Sequence, residues 1–300
     1  MALRPYALLP RQYDDRKVLA STVDAWGRVL WLICPDAVRP SNPYGSSRPK
    51  PPSLPFDALV VINDAGAVQE RTLRGVLVAP HRIDALPNGR IVLAGKRSFG
   101  DRNGQIFGRD GRSRRSFAMG ANVAFMMADR RNSLWTAYTD EGIYSDPISS
   151  AGLARWDSGG NHQWEYWPPQ GIHHITDIEA LNVADGAAWA VYWPTSPLLE
   201  ARANGQLRVW QQPVTSPRGL AVHNDRLLLL GGHRRDCARQ DGPATAHYCH
   251  TTDGEAVVVE EAVLTMPNGD PLRSYPHPIG RGPNLYLHGR STKQWYVLGL

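Results

Sequence analysis

The sequence predicts an all-β fold, a six-bladed β-propeller of four-stranded antiparallel blades in which the N-terminal strand completes the last blade. Three observations predict it. Five turn glycines recur at nearly constant spacing, six further hairpins alternate with them, and the composition favours short strands joined by tight turns. We expect one propeller domain over residues 1–300, with a closing strand within 1–14 and a Pro-rich loop insertion at 35–55.

Composition supports a folded, β-rich chain. Of the 300 residues, 42% are hydrophobic and 20% are charged, which is typical of a globular domain and excludes overall disorder. Ten Trp and eleven Tyr outnumber five Phe, while 28 Gly and 24 Pro supply residues for turns. No run approaches the roughly 18 apolar residues of a membrane span, and residues 1–10 carry no signal-peptide pattern. We therefore predict a cytoplasmic protein that does not insert into a membrane.

The strongest signal is a repeat. Two alternating runs flank a turn of the Asp/Asn-x-Gly kind, as in VVINDAGAVQERTL and LEARANGQLRVW, and the turn glycines are separated by 45, 49, 45 and 49 residues. The five glycines are Gly66, Gly111, Gly160, Gly205 and Gly254. A unit of this length has the size of one propeller blade.

A second kind of hairpin precedes each of these turns. VLASTVDAWGRVLWL and RIDALPNGRIVLAG are two of the six examples. Alternation with period two and Gly, Asn or Asp at the turn are what a half-buried antiparallel strand requires. Each unit therefore contains two hairpins, that is, four strands. We expect one large side chain per unit to pack between blades; these are Trp31, Leu93, Trp135, Trp189, Leu228 and Tyr286.

The two kinds of hairpin differ in number, because six of the first kind accompany only five of the second. The sixth blade therefore lacks its outer strand, and the N-terminal segment RPYALLP is available to supply it. Closing the ring with a strand from the other terminus removes open sheet edges, at which sheets otherwise aggregate.

Two insertions lengthen the connection between the second and third strands of a blade. One is the Pro- and Ser-rich segment 35–55 in blade one, and the other spans 234–246 in blade five. Equivalent connections of neighbouring blades emerge on one face, so this face is the expected binding face.

The segment TDEGIYSDPISSAGLARWDSGGNHQWEYWPPQGIHHITDIEALNVADGAAWAVYW, like most of the chain around it, resembles a family of actinobacterial propeller proteins without an assigned activity. In architecture the chain is also similar to the gluconolactonase/SMP-30, strictosidine-synthase-like and NHL propellers. The resemblance implies no metal site, because the SPDG-like turn and the N-terminal Glu of the gluconolactonase site have no counterpart here. Fold likeness alone does not assign a function.

Candidate site residues come from the start of each inner strand, which lines the central channel of a propeller. Titratable groups at equivalent positions of several blades meet at one mouth, as in a binding or catalytic pocket. The predicted ligand-binding residues are His81, His174, Asp177, Arg218, His277 and Arg281. The alternative is that these polar residues cap strands and contact channel water.

Two functions from different classes remain open. The first is a scaffold that holds a small molecule or a partner protein at this face. The second is a hydrolase or lyase that uses acid/base or metal-assisted chemistry on a small anionic substrate. In the second, His81 or His277 is the general base, Asp177 orients it, and Arg218 or Arg281 holds the anion. No nucleophile motif such as G-x-S-x-G is present.

Net charge and cysteine content bear on which partners and metals the protein is expected to bind. The net charge of +5 is mild, and the arginine run at 109–115 has no interleaved aromatic platform, so we do not expect nucleic-acid binding. We predict a monomer without cofactor or bound metal. Cys237, His247 and Cys249 lie close in sequence, and a zinc site, a disulfide or unrelated loop residues remain alternatives for them.

Overall fold

A computed structural model describes residues 1–37, 53–95, 102–184, 186–231, 243–273, 277–289 and 291–300. Within these ranges the strands form four four-stranded antiparallel sheets and one eight-stranded sheet, in which two further four-stranded antiparallel units are joined by a parallel bridge between Asn182 and Gly280. Each of these six units is ordered from an inner to an outer strand. Blade one contains β2 (Arg16–Val23), β3 (Val29–Ala37), β4 (Phe56–Asp64) and β5 (Ala67–Val76); blade two β6 (Pro80–Leu86), β7 (Arg90–Gly95), β8 (Gly104–Phe107) and β9 (Ser113–Phe117); blade three β10 (Val123–Ala128), β11 (Ser133–Tyr138), β12 (Leu153–Asp157) and β13 (His162–Glu165). Blade four contains β14 (Asp177–Ala184), β15 (Ala187–Trp193), β16 (Leu198–Arg202) and β17 (Leu207–Trp210); blade five β18 (Gly219–His223), β19 (Arg226–Leu230), β20 (Thr245–Thr251) and β21 (Ala256–Val263); blade six β22 (Ile279–Arg281), β23 (Asn284–His288), β24 (Gln294–Gly299) and β1 (Arg4–Leu8).

The propeller prediction is therefore confirmed. Inner strands of successive blades contact one another around the ring, and β22 of the last blade contacts β2 of the first. The short helix α1 (Asp140–Ile143) lies between β11 and β12. None of the helices in the described ranges is long and apolar enough to cross a membrane.

The N-terminal strand completes blade six, as predicted. β1 pairs antiparallel with β24, with Arg4 opposite Val297 and Leu8 opposite Gln294. The edge of β24 is thereby covered by a strand from the other end of the chain, which closes the ring.

The five predicted turn glycines all lie in hairpins between the third and fourth strands of a blade. Their φ angles run from 74° to 98°, a left-handed backbone that residues with a Cβ adopt only at a cost. Gly111 is the most constrained, because a Cβ there would lie 1.9 Å from the carbonyl oxygen of Thr72 in the neighbouring blade. The repeat in the sequence is therefore a repeat of one backbone conformation.

The predicted inter-blade side chains are buried, with one exception. Trp31, Leu93, Trp135 and Leu228 have no exposed surface, and Tyr286 keeps 4%. Trp189 is half-buried instead and stacks on Trp210, with ring centroids 5.5 Å apart and planes inclined by 19°.

Two faces follow from the strand order. The upper face carries the starts of the inner strands and the connections between second and third strands, whereas the lower face carries the turns between first and second strands. Both insertions join second and third strands, as predicted, but most of 35–55 and of 234–246 lies outside the described residues.

The cysteine cluster is described only in part, because Cys237 lies outside the described residues. Cys249 is a buried free thiol, and burial raises its pKa to about 11. His247 contacts Glu261 through Nδ1 at 3.1 Å. In the ranges that the structure describes, no three His, Cys, Asp or Glu side chains form a group able to hold a metal ion.

Candidate functional site

The upper end of the channel opens into a cavity of about 240 Å³, which we call the upper pocket. Strands β2, β6, β10 and β22 form its walls, together with the end of β23. Its polar lining includes His81, Arg82, His277 and His288, and its apolar lining includes Phe125 and Met127. The upper pocket thus combines an apolar wall with basic side chains.

Arg82 is the residue of the upper pocket that carries a guanidinium group. Its Nε donates to the carbonyl oxygen of Ala124 at 2.8 Å, and Nη1 donates to that of His81 at 3.1 Å. Burial lowers its pKa to about 10, which still leaves the guanidinium protonated at neutral pH. Among the described residues, no carboxylate lies within ion-pair distance of Arg82. Within the described ranges, a largely buried cation therefore lines the cavity without a compensating charge.

His81 is held by the backbone. Its Nδ1 lies 3.1 Å from the carbonyl oxygen of Ala94, and its Nε2 lies 2.9 Å from that of Val123. Carbonyl oxygens only accept hydrogen bonds, so a ring that satisfies both contacts donates from both nitrogens. These two contacts fix the orientation of the ring at the pocket wall.

The pKa of His277 is strongly lowered. Desolvation by the surrounding protein, followed by the positive charges of Arg82, His288, His81 and Arg218, lowers the pKa of His277 to about 4. The residue nevertheless retains an exposed surface at the mouth, so solvent reaches it. Its φ of 50° is left-handed, which is strained for a non-glycine residue and is typical of functional sites. At neutral pH it presents a neutral imidazole to the pocket.

His288 lies deeper, at the end of β23. It is 6% exposed, its Nδ1 lies 2.7 Å from the carbonyl oxygen of Gly289, and its ring meets Trp295 edge-on at 4.8 Å between centroids. Burial lowers the pKa of His288 below its ordinary value. It completes the basic wall beside His277.

The other predicted residues lie at different distances from this centre. Arg218 precedes β18, is exposed, and is close enough to lower the pKa of His277. Asp177 begins β14, is 3% exposed, and accepts a hydrogen bond from the backbone N–H of Asp140 at 3.3 Å. His174 is exposed and packs edge-on against the ring of Trp167. None of these three residues, Arg218, Asp177 and His174, lines the upper pocket.

Arg281 is placed apart from the rest, at the lower end of the channel. It ends β22, whereas His277 precedes that strand, so the two residues lie toward opposite faces. Its Nε donates to the carbonyl oxygen of Val23, Nη1 to that of Ala128, and Nη2 to Asp84 Oδ2. These contacts tie blade six to blades one, two and three across the axis. They favour a structural role over the ligand-binding role predicted for Arg281.

Sequence reasoning missed Arg82 and His288. Strict alternation along β6 would place Arg82 on the face opposite to that of His81. The pairing of β6 with β7 shifts register between Pro80 and Arg82, and a bulge of this kind re-aims the side chains that follow. Similar shifts occur near the upper ends of β2, β10 and β14.

Known structures agree with the fold. A virginiamycin B lyase from Staphylococcus aureus is similar over 98% of this chain and 98% of its own, with a TM-score of 0.50 and 15% identity. KlHsv2 with loop 6CD replaced by a Gly-Ser linker matches 95% of this chain and 78% of its own, with a TM-score of 0.56 and 10% identity. A gluconolactonase from Xanthomonas campestris matches 99% and 88%, with a TM-score of 0.47 and 12% identity.

No protein-family model matches the chain, and no curated protein does. Identities this low show the fold alone, and that fold is the β-propeller. The predicted propeller resemblance is thus confirmed at the level of architecture, while membership of the actinobacterial family stays a prediction.

Proposed function

We propose that the upper pocket binds a small organic anion with an apolar body, and that the protein is a ligand-binding propeller. The observation that carries this proposal is Arg82, a largely buried guanidinium without an ionic partner among the described residues. Burying an uncompensated charge is costly, so such a charge is expected where a ligand supplies the opposite one. A guanidinium also matches the paired oxygens of a carboxylate, phosphate or sulfonate.

The remaining lining supports the same class of ligand. Both ring nitrogens of His81 lie within hydrogen-bond distance of carbonyl oxygens, Arg218 is close enough to lower the pKa of His277, and His277 becomes cationic when protonated. Phe125 and Met127 offer apolar contact to the body of the ligand. A cavity of about 240 Å³ admits a small molecule, whereas a partner protein would engage the face around it.

Binding of 1-naphthalenesulfonate, measured by calorimetry, tests the proposal because this probe joins a permanent anion to an apolar ring system. We expect Arg82→Gln to weaken binding about 10- to 100-fold, as loss of a hydrogen bond to a charged group does. Arg82→Lys keeps the charge and should retain part of the affinity. Arg114→Gln, on an exposed outer strand, is the matched control and should change nothing. If the probe does not bind, or binds equally to Arg82→Gln, the proposal fails.

Arg218→Ala separates a binding role from a structural one. The side chain is exposed, so we expect the free energy of unfolding to change by less than about 1 kcal/mol. Affinity for 1-naphthalenesulfonate should fall because a positive charge that acts on His277 is removed. Chemical denaturation and calorimetry on the same sample measure both quantities. A drop of several kcal/mol would instead assign Arg218 to a structural tie, such as a pair with Asp177.

His277 should make anion binding depend on pH. Its pKa of about 4 means that the free protein holds it neutral near pH 7, and a bound sulfonate favours the imidazolium and raises that pKa. Affinity should therefore increase as pH falls from about 7 toward 4. The free energy of unfolding should change in the opposite direction and decrease as pH falls. The reason is that the pKa of His277 is lower in the folded than in the unfolded state, so protonation opposes folding. His277→Gln should remove the increase in affinity; an unchanged pH profile in this variant would exclude His277 from the site.

Acid/base catalysis on the same class of anion is the second candidate. The observation that favours it is the neutral imidazole of His277, held on a strained backbone at the pocket mouth. Hydrolysis of mono(4-nitrophenyl) succinate, an anionic ester, tests the hydrolytic form by release of nitrophenol. Turnover that is lost in His277→Gln while probe binding near pH 7 survives would support catalysis. Absence of turnover by the unmodified protein would leave binding as the function.

A further inference from the structure

A second cavity opens on the lower face, between blades four and five. Its volume is about 710 Å³. We call it the lower cleft and define it by Trp189, Glu200, Arg202, Arg208, Trp210 and His223. We infer that the lower cleft binds a neutral polyhydroxylated ligand, that is, a carbohydrate, through the Glu200 carboxylate and the two tryptophans. This inference is independent of the upper pocket.

Glu200 is the residue that points to a ligand. It lies on β16 and is 3% exposed, although it lines the cleft. Its Oε1 accepts a hydrogen bond from Arg202 Nε at 2.7 Å, while its Oε2 is buried and has no hydrogen-bond partner within the described part of the chain. A buried carboxylate oxygen without a donor is costly. A ligand hydroxyl that donates to Oε2 would remove this cost.

The sheet register places two aromatic residues on the same face of the sheet as Glu200. Trp189 on β15 is directly opposite Glu200, and Glu200 is directly opposite Arg208 on β17. Trp210 follows two residues after Arg208, so it lies on the same face of the sheet, where its ring stacks on that of Trp189. Both tryptophans are only half-buried and line the cleft. The apolar C–H face of a sugar ring packs on aromatic surfaces of this kind.

Charge in the lower cleft disfavours ionic ligands of either sign. Three exposed arginines on its wall, Arg131, Arg202 and Arg208, oppose an organic cation. Two carboxylates, Glu200 and Asp225, oppose an anion. A hydroxyl group both donates and accepts, so it can donate to Glu200 Oε2 and accept from an arginine at the same time. A neutral polyol therefore satisfies both kinds of group without burying a further charge.

Titration of the full-length protein with maltotriose, cellotriose and chitotriose tests this inference, with tryptophan fluorescence as the readout. We expect at least one of these neutral oligosaccharides to bind. Glu200→Gln should weaken that binding about tenfold, because a hydrogen bond to a charged acceptor is stronger than one to a neutral acceptor. Trp210→Ala should abolish measurable binding. Glu165→Gln, an exposed carboxylate on blade three, is the matched control and should bind as the unmodified protein does.

A structural role for Glu200 gives different results. In the absence of sugar, Glu200→Gln should keep or raise the Tm if the orphaned carboxylate serves a ligand, whereas loss of a structural pair with Arg202 would lower it. Binding of 1-naphthalenesulfonate should be the same in Glu200→Gln, which separates this cleft from the upper pocket. The inference is overturned if none of the three sugars binds, if Glu200→Gln and Glu165→Gln bind equally, or if the Tm of Glu200→Gln falls.

Discussion

Replacing Arg281 by methionine is expected to lower the free energy of unfolding by about 3–5 kcal/mol. Its Nη2 lies 2.6 Å from Asp84 Oδ2, and the two side chains are 6% and 0% exposed. Asp84 also accepts hydrogen bonds from the backbone N–H groups of Ala85 and Ala128. The variant leaves this carboxylate buried without its cation and cuts the ties from blade six to blades one and three.

The destabilisation caused by Arg281→Met should depend on pH. Burial raises the pKa of Asp84 to about 6, although Arg281 and the Ala128 amide each lower it in part. Without Arg281 that pKa rises further, so the folded variant holds the Asp84 proton to a higher pH than the unmodified protein does. When the pKa of a carboxyl is higher in the folded than in the unfolded state, it stabilises the folded state at pH values below the unfolded-state pKa. This stabilisation is lost as the pH rises through the folded-state pKa. Destabilisation by Arg281→Met should therefore be smaller at pH 5 than at pH 8.

Urea denaturation at both pH values measures this result. Arg114→Met breaks the exposed pair with Asp110 and serves as the control, with an expected effect below about 1 kcal/mol. If Arg281→Met were as mild as this control, the axial contacts would not stabilise the fold. Arg281 would then return to the list of ligand-binding candidates.

Gly280→Ala is expected to destabilise the protein by about 3 kcal/mol, at the upper end of overpacking effects. Gly280 lies on β22, where the inner strands of blades four, five and six meet. A Cβ at this position would lie 2.0 Å from the carbonyl oxygen of Leu220 and 2.9 Å from Asn182 Nδ2. Asn182 Nδ2 donates to the carbonyl oxygens of Leu220 and Gly282, so any displacement also disturbs these buried hydrogen bonds.

Gly289→Ala provides the matched control in the same blade, because a Cβ at Gly289 would meet nothing within 4 Å. Thermal unfolding of both variants measures the difference, and we expect a change of less than about 0.5 kcal/mol for Gly289→Ala. Equal stability of the two variants would contradict the close packing of inner strands around Gly280.

Much of the fold could be predicted from local patterns. Gly66 and its four equivalents were found by spacing alone, since a left-handed turn demands glycine wherever the same hairpin recurs. The pairing of Arg4–Leu8 with the last strand was found by counting hairpins, because a propeller leaves no blade open. The inter-blade side chains followed from equal offsets, and Trp189 departs from the pattern because it lines the lower cleft.

The candidate site was predicted less completely. The sequence pointed to the start of the inner strands, and two of the residues named there, His81 and His277, line the upper pocket. It also yielded Arg281, which lies at the other end of the channel because its short strand, β22, carries it toward the lower face. The number of residues before a turn gives a position along the chain, not a height along the channel. Because β22 has only three residues, Arg281 already lies at the lower end of the strand.

By itself, then, the sequence determined what depends on local backbone conformation and period: the strands, the turns, the number of hairpins and the closure of the ring. Tertiary structure decided which side chains share a cavity. Arg82 enters the upper pocket because a register shift at Pro80 overrides alternation, and Glu200 lies opposite Arg208, on the same face of the sheet as Trp210, because β16 pairs with β17 in one register. Bulges and register arise from hydrogen bonds between strands that are distant or unspecified in the local pattern, so only the folded chain shows where a charge is left without a partner.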